Sequence, residues 1–233
     1  MGYEETVEGI LDSYSKKKDK KWFCNCKCED QWISVEEKNE GYELTPNDRP
    51  SQESDDPCFI LILESPHRRE FKTYDKKNKK LKTLKTPKPA NGKTGRNIQD
   101  HFIDSMAIQM DGKKKCYIYL LNAIQYQCSL GLTQNQENKK IKLDIFNKTW
   151  GNEGMENFKE RLKGVYGTIP DNRPTYIVNA CTNLGKLKED ITTRASEVTE
   201  KKIFQRCHPS SGYFIVEARA YRQALNELRP AYD

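Results

Sequence analysis

Four short apolar runs constrain this chain more than any other feature: Cys58–Glu64, Cys116–Asn122, Tyr176–Cys181 and Ile203–His208. They are rich in Ile, Leu, Val, Phe and Tyr. The first three lack clean alternation with polar residues, the pattern of strands covered on both faces. Helical periodicity falls between and after them. Ile98, Phe102, Met106 and Met110 recur at a spacing of four and predict a helix over Thr94–Met110. Further helices are expected near Met155–Leu162, Leu184–Ala195 and Ile215–Leu228. Strands alternating with helices imply a parallel sheet with right-handed crossovers and helices on both faces. Residues 1–55 read differently, as a charged amphipathic helix (Tyr3–Tyr14) followed by irregular polar chain. One α/β domain over 56–233 with an N-terminal extension is the expected organisation.

Composition narrows the class. Only 35% of the 233 residues are hydrophobic and 32% are charged, so part of the length is expected to be solvated loop. The longest apolar runs, Cys58–Leu63 and Cys116–Leu121, are six residues each, against about 20 for a membrane span. Acidic residues in MGYEETVEGI stand where a signal peptide would carry basic ones. The expectation is a soluble, cytoplasmic protein with no membrane partner.

The charge is concentrated. Between Arg68 and Arg96 lie twelve basic residues and only Glu70 and Asp75 to oppose them, so this segment carries +10 in a chain of net +6. The remainder is mildly acidic. Arg68, Arg69, Lys76, Lys77, Lys79, Lys80, Lys93 and Arg96 therefore form the kind of footprint that a phosphate backbone rewards through counterion release. DNA is the expected partner, and no obligate protein partner is evident.

The eight cysteines sort into groups. Cys58, Cys116, Cys181 and Cys207 fall one per expected strand, where a thiol behaves as a small buried hydrophobe. Cys24, Cys26 and Cys28 form a C-x-C-x-C cluster that could gather thiolates, but a closed zinc site needs a fourth ligand. Reduced surface thiols and no cofactor are the expectation, with zinc or an iron–sulfur group at these three as the alternative.

In a parallel α/β sheet, ligands bind outside the carboxyl ends of the strands. The first expected strand runs into Glu64-Ser65-Pro66-His67-Arg68-Arg69-Glu70-Phe71, and the second ends on Asn122. The third runs into Asn179-Ala180-Cys181-Thr182-Asn183, and the fourth ends in His208-Pro209-Ser210-Ser211-Gly212. Two of the three histidines thus sit at strand ends beside a proline. Carboxylates, an amide and imidazoles converging on one crevice point to an active site.

The order of these pieces resembles the uracil-DNA glycosylase superfamily, and most of all its G-E-A-P-G branch. Leu63-Glu64-Ser65-Pro66-His67 stands for the first motif. Pro89-Ala90-Asn91-Gly92-Lys93-Thr94-Gly95-Arg96-Asn97 is similar to the branch's P-F-x-G-x-A-G turn. Leu120-Leu121-Asn122 matches its second strand, and His208-Pro209-Ser210 its final H-P-S. The iron–sulfur relatives pair cysteines in front with cysteines behind the Asn strand, whereas here only Cys128 lies behind. The resemblance implies a central four-stranded parallel sheet flanked by helices.

It also implies base excision. An enzyme of this kind flips a nucleotide into a pocket and meets the charges that develop on sugar and base. By resemblance His208 would stabilise the leaving base, and Glu64 or Glu70 would position water or the oxocarbenium ion. Asn122 would read the base edge and Phe71 stack on it. Ser65, Pro66, Ser210 and Ser211 would hold phosphates, and Tyr213 or Phe214 would fill the gap in the helix. A tyrosine that restricts one branch to uracil corresponds to His67, which suits a 5-substituted pyrimidine such as glucosylated 5-hydroxymethylcytosine in phage DNA, excised in antiviral defence. Uracil repair is the alternative. A non-catalytic nucleic-acid-binding protein of the same fold and an enzyme on small nucleotides are the rivals from other classes.

Overall fold

The computed structural model describes residues 2–17, 26–75, 80–83, 87–128 and 136–228. Its centre is strand β3 (Cys58–Leu63), in which all six side chains are buried. Cys58, Ile60 and Ile62 enter one core cluster, while Phe59, Leu61 and Leu63 enter the other. That division is why the run shows no polar alternation: both faces of the pleat meet apolar layers. Each such Leu, Ile or Phe contributes roughly 1.5–3 kcal/mol by leaving water, so β3 ties the two layers together.

Around it, α1 (Tyr3–Lys17), β1 (Gln31–Lys38) and β2 (Gly41–Pro46) come first in the chain. After β3 follow α2 (Arg68–Phe71), β4 (Lys72–Asp75), β5 (Lys80–Thr83), α3 (Lys93–Ser105), α4 (Ala107–Met110) and β6 (Lys115–Asn122). Then come α5 (Gln136–Thr149), a kink at Trp150–Gly154 where Asn152 and Glu153 leave helical geometry, α6 (Met155–Tyr166), β7 (Thr175–Asn179), α7 (Leu187–Ser196), β8 (Ile203–Gln205) and α8 (Gly212–Leu228). Strands pair in the order β2-β1-β6-β3-β7-β8. β3 runs parallel to β6 and β7, and β7 parallel to β8. β1 is antiparallel to both β6 and β2.

The class is therefore α/β, but the sheet is six-stranded and mixed, where a four-stranded parallel sheet was expected. The difference comes from the front of the chain. Residues 31–46, read as irregular polar chain, form a hairpin that extends the sheet beyond β6. Trp32, Ile33 and Val35 are buried in this hairpin, and Val7 and Leu11 of α1 join the same cluster as Ile60 and Ile62. Residue 55 thus falls between strands of one sheet.

Two other elements differ from expectation. The helix predicted over Thr94–Met110 is two helices, because Met106 leaves helical geometry (φ −116, ψ 22) between α3 and α4. The basic segment is not all loop: β4 and β5 pair antiparallel, with Lys72 opposite Thr83 and Asp75 opposite Lys80. Among the described residues no helix is long and apolar enough to cross a membrane.

Candidate active site

Glu64 leaves β3 directly at its carboxyl end and is only 3% exposed. Its main chain stays with the sheet, Ile124 N–H donating to its carbonyl at 3.0 Å. Its carboxylate is held by three donors. Thr182, just past β7, donates its backbone N–H at 3.1 Å and its hydroxyl to Oε2. The Lys142 ammonium contacts Oε1. Lys142 comes from α5, where Lys142, Ile145, Phe146 and Thr149 are the buried positions, so this lysine occupies the apolar stripe of its helix. Burial pulls its pKa down to about 8.

Asn122 closes β6 on the neighbouring strand, in register with Leu63. It is 1% exposed, and neither side-chain atom, Oδ1 nor Nδ2, has a hydrogen-bond partner among the described residues. Its backbone, in contrast, is clamped. Asp30 accepts the Asn122 N–H at 3.1 Å, and Arg161 of α6 donates to the Asn122 and Ala123 carbonyls at 2.9 and 3.1 Å. Asp30 and Arg161 also pair with each other. Burial raises the Asp30 carboxyl, and the adjoining guanidinium opposes that rise. A carboxamide with its backbone fixed and its side chain unpaired is an arrangement that a ligand would complete.

His208 follows β8. Ser210 N–H donates to its Nδ1 at 3.1 Å, and the Ser210 hydroxyl lies 2.8 Å from the same atom. A ring nitrogen that accepts a backbone N–H carries no proton, so the proton of the neutral ring sits on Nε2. Burial pulls the imidazole down to about 3, helped by the positive charges of Lys142, His67 and Lys188. The loop is braced from below, since Asn97 of α3 donates to the Pro209 carbonyl. His208 is thus a neutral hydrogen-bond donor at ordinary pH.

Glu70 takes a different role from Glu64. It is 5% exposed, and its two oxygens accept the backbone N–H groups of His67 and, at 2.8 Å, Ala90. Its own carbonyl accepts Lys88 N–H at 2.9 Å. The residue pins the turn that precedes α3 to the end of β3. Burial raises its pKa to about 7, against the lowering pull of its two backbone donors. The first turn of α3 needs glycine at Gly95, where any side chain would collide with the Ala90 carbonyl.

The other expected site residues divide by exposure. Ser65, Ser210 and Ser211 are half-buried, Pro66 and Phe71 are buried, and His67, Lys93 and Arg96 are exposed. Phe71 belongs to neither core cluster. Phe214 is 1% exposed and packed into the core, which removes it as the residue that fills a gap in DNA, while Tyr213 is 73% exposed beside the His208 loop. Arg68 and Arg69 lie on α2 and Lys80 on β5. Lys76, Lys77, Lys79 and Cys24 lie outside the described residues. Cys26 is exposed and Cys28 is buried, with burial pushing its thiol up. Among the described residues no group of three or more His, Cys, Asp or Glu is placed to hold a metal ion.

A cavity of about 470 Å³ opens between the β1–β2 hairpin and the turn before α3, lined by Asp30, Gln31, Asn47, Ala90, Arg96 and Leu120 among others. Glu64 and His208 do not line it. It adjoins Asn122 through Asp30 and through Leu120, two residues earlier on β6. Sequence reasoning missed Lys142, Asp30 and Arg161, and gave no role to Thr182 although it lies in the stretch into which the third strand runs. Of the three missed, only Lys142 left a signal, a cation on an apolar helical stripe. No protein-family model, no curated protein and no solved structure matches this chain.

Proposed function

We propose that this chain is a DNA glycosylase that flips out a pyrimidine nucleotide and hydrolyses its glycosidic bond. The observation that carries this reading is the Asn122 carboxamide, buried at a strand end with both polar atoms unpaired. A base edge supplies one donor and one acceptor side by side, which is what such an amide lacks. An unpaired buried polar group costs about 1–3 kcal/mol, so the site is organised for a partner it does not yet have.

The surrounding groups fit the charges of the reaction. As the bond to the sugar breaks, negative charge grows on the base and positive charge on the sugar. The neutral His208 ring donates from Nε2 to the base oxygen, and its low pKa keeps it a donor without a competing charged form. The Glu64 carboxylate, fixed by Thr182 and Lys142, stabilises the oxocarbenium ion or orients the attacking water. Glu70 positions the turn before α3 and touches no reacting atom. Tyr213 fills the space left in the duplex, and the basic segment tracks phosphates.

A 5-substituted pyrimidine, such as a glucosylated base of phage DNA, is the favoured substrate. His67 is exposed where the restricting tyrosine would stand, and a cavity lined by Asp30 and Leu120, though not by Asn122, Glu64 or His208, offers room for a substituent larger than a bare pyrimidine. The test is to incubate the protein with matched duplexes carrying uracil, cytosine or a glucosylated 5-hydroxymethylcytosine and to score alkali-labile abasic sites. Cleavage at the glucosylated base at least as fast as at uracil is expected. Cleavage at uracil alone would return the chain to uracil repair, and binding without any base release would make it a non-catalytic DNA-binding protein.

A further inference from the structure

We propose that Lys142 is the nucleophile of a second activity in the same crevice, an abasic-site lyase that cuts the DNA strand after the base has left. The inference rests on the glycosylase reading for its substrate class, an aldehyde sugar in DNA, and on the geometry of α5 for its chemistry.

Lys142 has a placement that stability does not explain. Burying a cation against a carboxylate removes two charges from water, and an apolar pair of the same volume is usually as stable or more so. Yet Lys142 stands 8% exposed on the apolar stripe of α5, with its ammonium on Glu64 Oε1. Glu64 is the carboxylate proposed above to face the sugar in base excision, and the Lys142 nitrogen sits on its Oε1. Glu64 can take the ammonium proton, and Thr182 holds the carboxylate in place for that transfer. Burial already weakens the proton's hold, bringing the amine within reach of neutral pH. The positive charge of Lys142 also helps to hold the His208 ring neutral.

The chemistry balances without an oxidant or reductant. The proton on Nζ passes to Glu64, and the neutral amine adds to C1′ of the ring-opened sugar to give a carbinolamine. Loss of water leaves an iminium ion. Glu64 passes its first proton to that departing water and, as carboxylate again, removes a proton from C2′. The electron pair of that C–H bond forms the C2′–C3′ double bond while the C3′–O bond breaks and the 3′ phosphate departs. Glu64 gives the C2′ proton to the departing phosphate, and water then hydrolyses the iminium ion and returns lysine as its ammonium opposite the restored carboxylate.

Borohydride trapping tests this on the full chain with a duplex whose abasic site is made beforehand, so that base release is not required. The native protein should form a covalent adduct with the mass of protein plus DNA, and without borohydride it should nick the strand. Lys142→Arg keeps the charge opposite Glu64 but cannot form an imine, so it should bind abasic DNA like the native protein and trap at background level. Lys142→Gln should lose the adduct as well, and Lys163→Ala, an exposed change on α6, should retain it. No adduct with the native protein, or an undiminished adduct with Lys142→Arg, overturns the proposal. If the native protein releases bases but traps nothing, the lyase alone fails. If it traps a preformed abasic site but releases no base, the lyase stands and the glycosylase reading fails.

Discussion

Glu64 and Glu70 stand six residues apart, equally buried, on either side of one loop, and their surroundings send them to different work. Glu64 meets a full positive charge on Lys142 and the hydroxyl of Thr182. Glu70 meets only the backbone N–H groups of His67 and Ala90. Burial alone pushes a carboxyl up. For Glu70 the neutral donors fail to offset burial, and its pKa rises to about 7. Beside Glu64 the ammonium supplies the compensating charge. The two carboxylates thus divide into one held in a buried ion pair and one that fastens the neighbouring turn.

Replacing each in turn is the sharpest way to break that division. Glu64→Gln should lower base release by about a thousandfold, as expected when a preorganised charge is lost from a transition state. It should also destabilise the fold by about 3–5 kcal/mol, because Lys142 is left buried without its partner. Rates per folded molecule and urea unfolding measure the two. Near-native release by Glu64→Gln would move the chemistry elsewhere. The next largest effect belongs to His208→Ala, which should slow release by about a hundredfold or more while leaving DNA affinity unchanged. A parallel loss of affinity would mean that the ring binds rather than reacts.

The Glu70 side of the comparison is read through pH. Its folded pKa of about 7 lies above the ordinary value of 4.5, so the folded protein binds this proton more tightly than the unfolded chain. Stability from this group is then fully present below about pH 4.5 and is lost as pH rises through 7, a change of about 3 kcal/mol in all. Glu70→Gln cannot titrate, so urea unfolding between pH 4.5 and 8 should show a flatter profile for the variant. Its base release should fall less than that of Glu64→Gln, since the amide oxygen keeps one of the two backbone N–H bonds while its Nε2 leaves the other N–H unpaired. A steeper profile for Glu70→Gln would reverse the assignment. The smallest effect is expected from neutralising Lys76, Lys77, Lys79 and Lys80 together. The salt dependence of duplex binding should flatten by about 0.9 log units for each phosphate that these lysines no longer neutralise. An unchanged slope would mean that none of the four reaches a phosphate.

What the sequence made legible follows from how far apart the interacting residues lie. The three central strands were readable because each is a nearly continuous apolar run, and Asn122 because it closes one of them; β8 is only Ile203–Gln205, and His208 lies three residues beyond it. The Asp30–Arg161 pair joins residues 131 positions apart, and no local pattern announces it. The β1–β2 hairpin escaped because Trp32, Ile33 and Val35 are diluted by charged neighbours. For the aromatics of α8 the question was one of phase. Phe214 and Ala218 share the buried face one turn apart, whereas Tyr213 and Val216 face solvent.

The clamp on Asn122 has a consequence for how the protein comes to work. Asp30 precedes the central strand and Arg161 follows the second parallel strand, so the loop they close spans more than half the chain. Long-range closures of this kind pay their entropy before they are rewarded, and they form late in folding. A chain that has collapsed around its parallel strands but not yet seated residues 28–30 against Arg161 would have a sheet with the backbone at Asn122 unfastened. The strand end takes its final form when that clamp shuts, and a nascent or nicked chain in which it stays open would lack it.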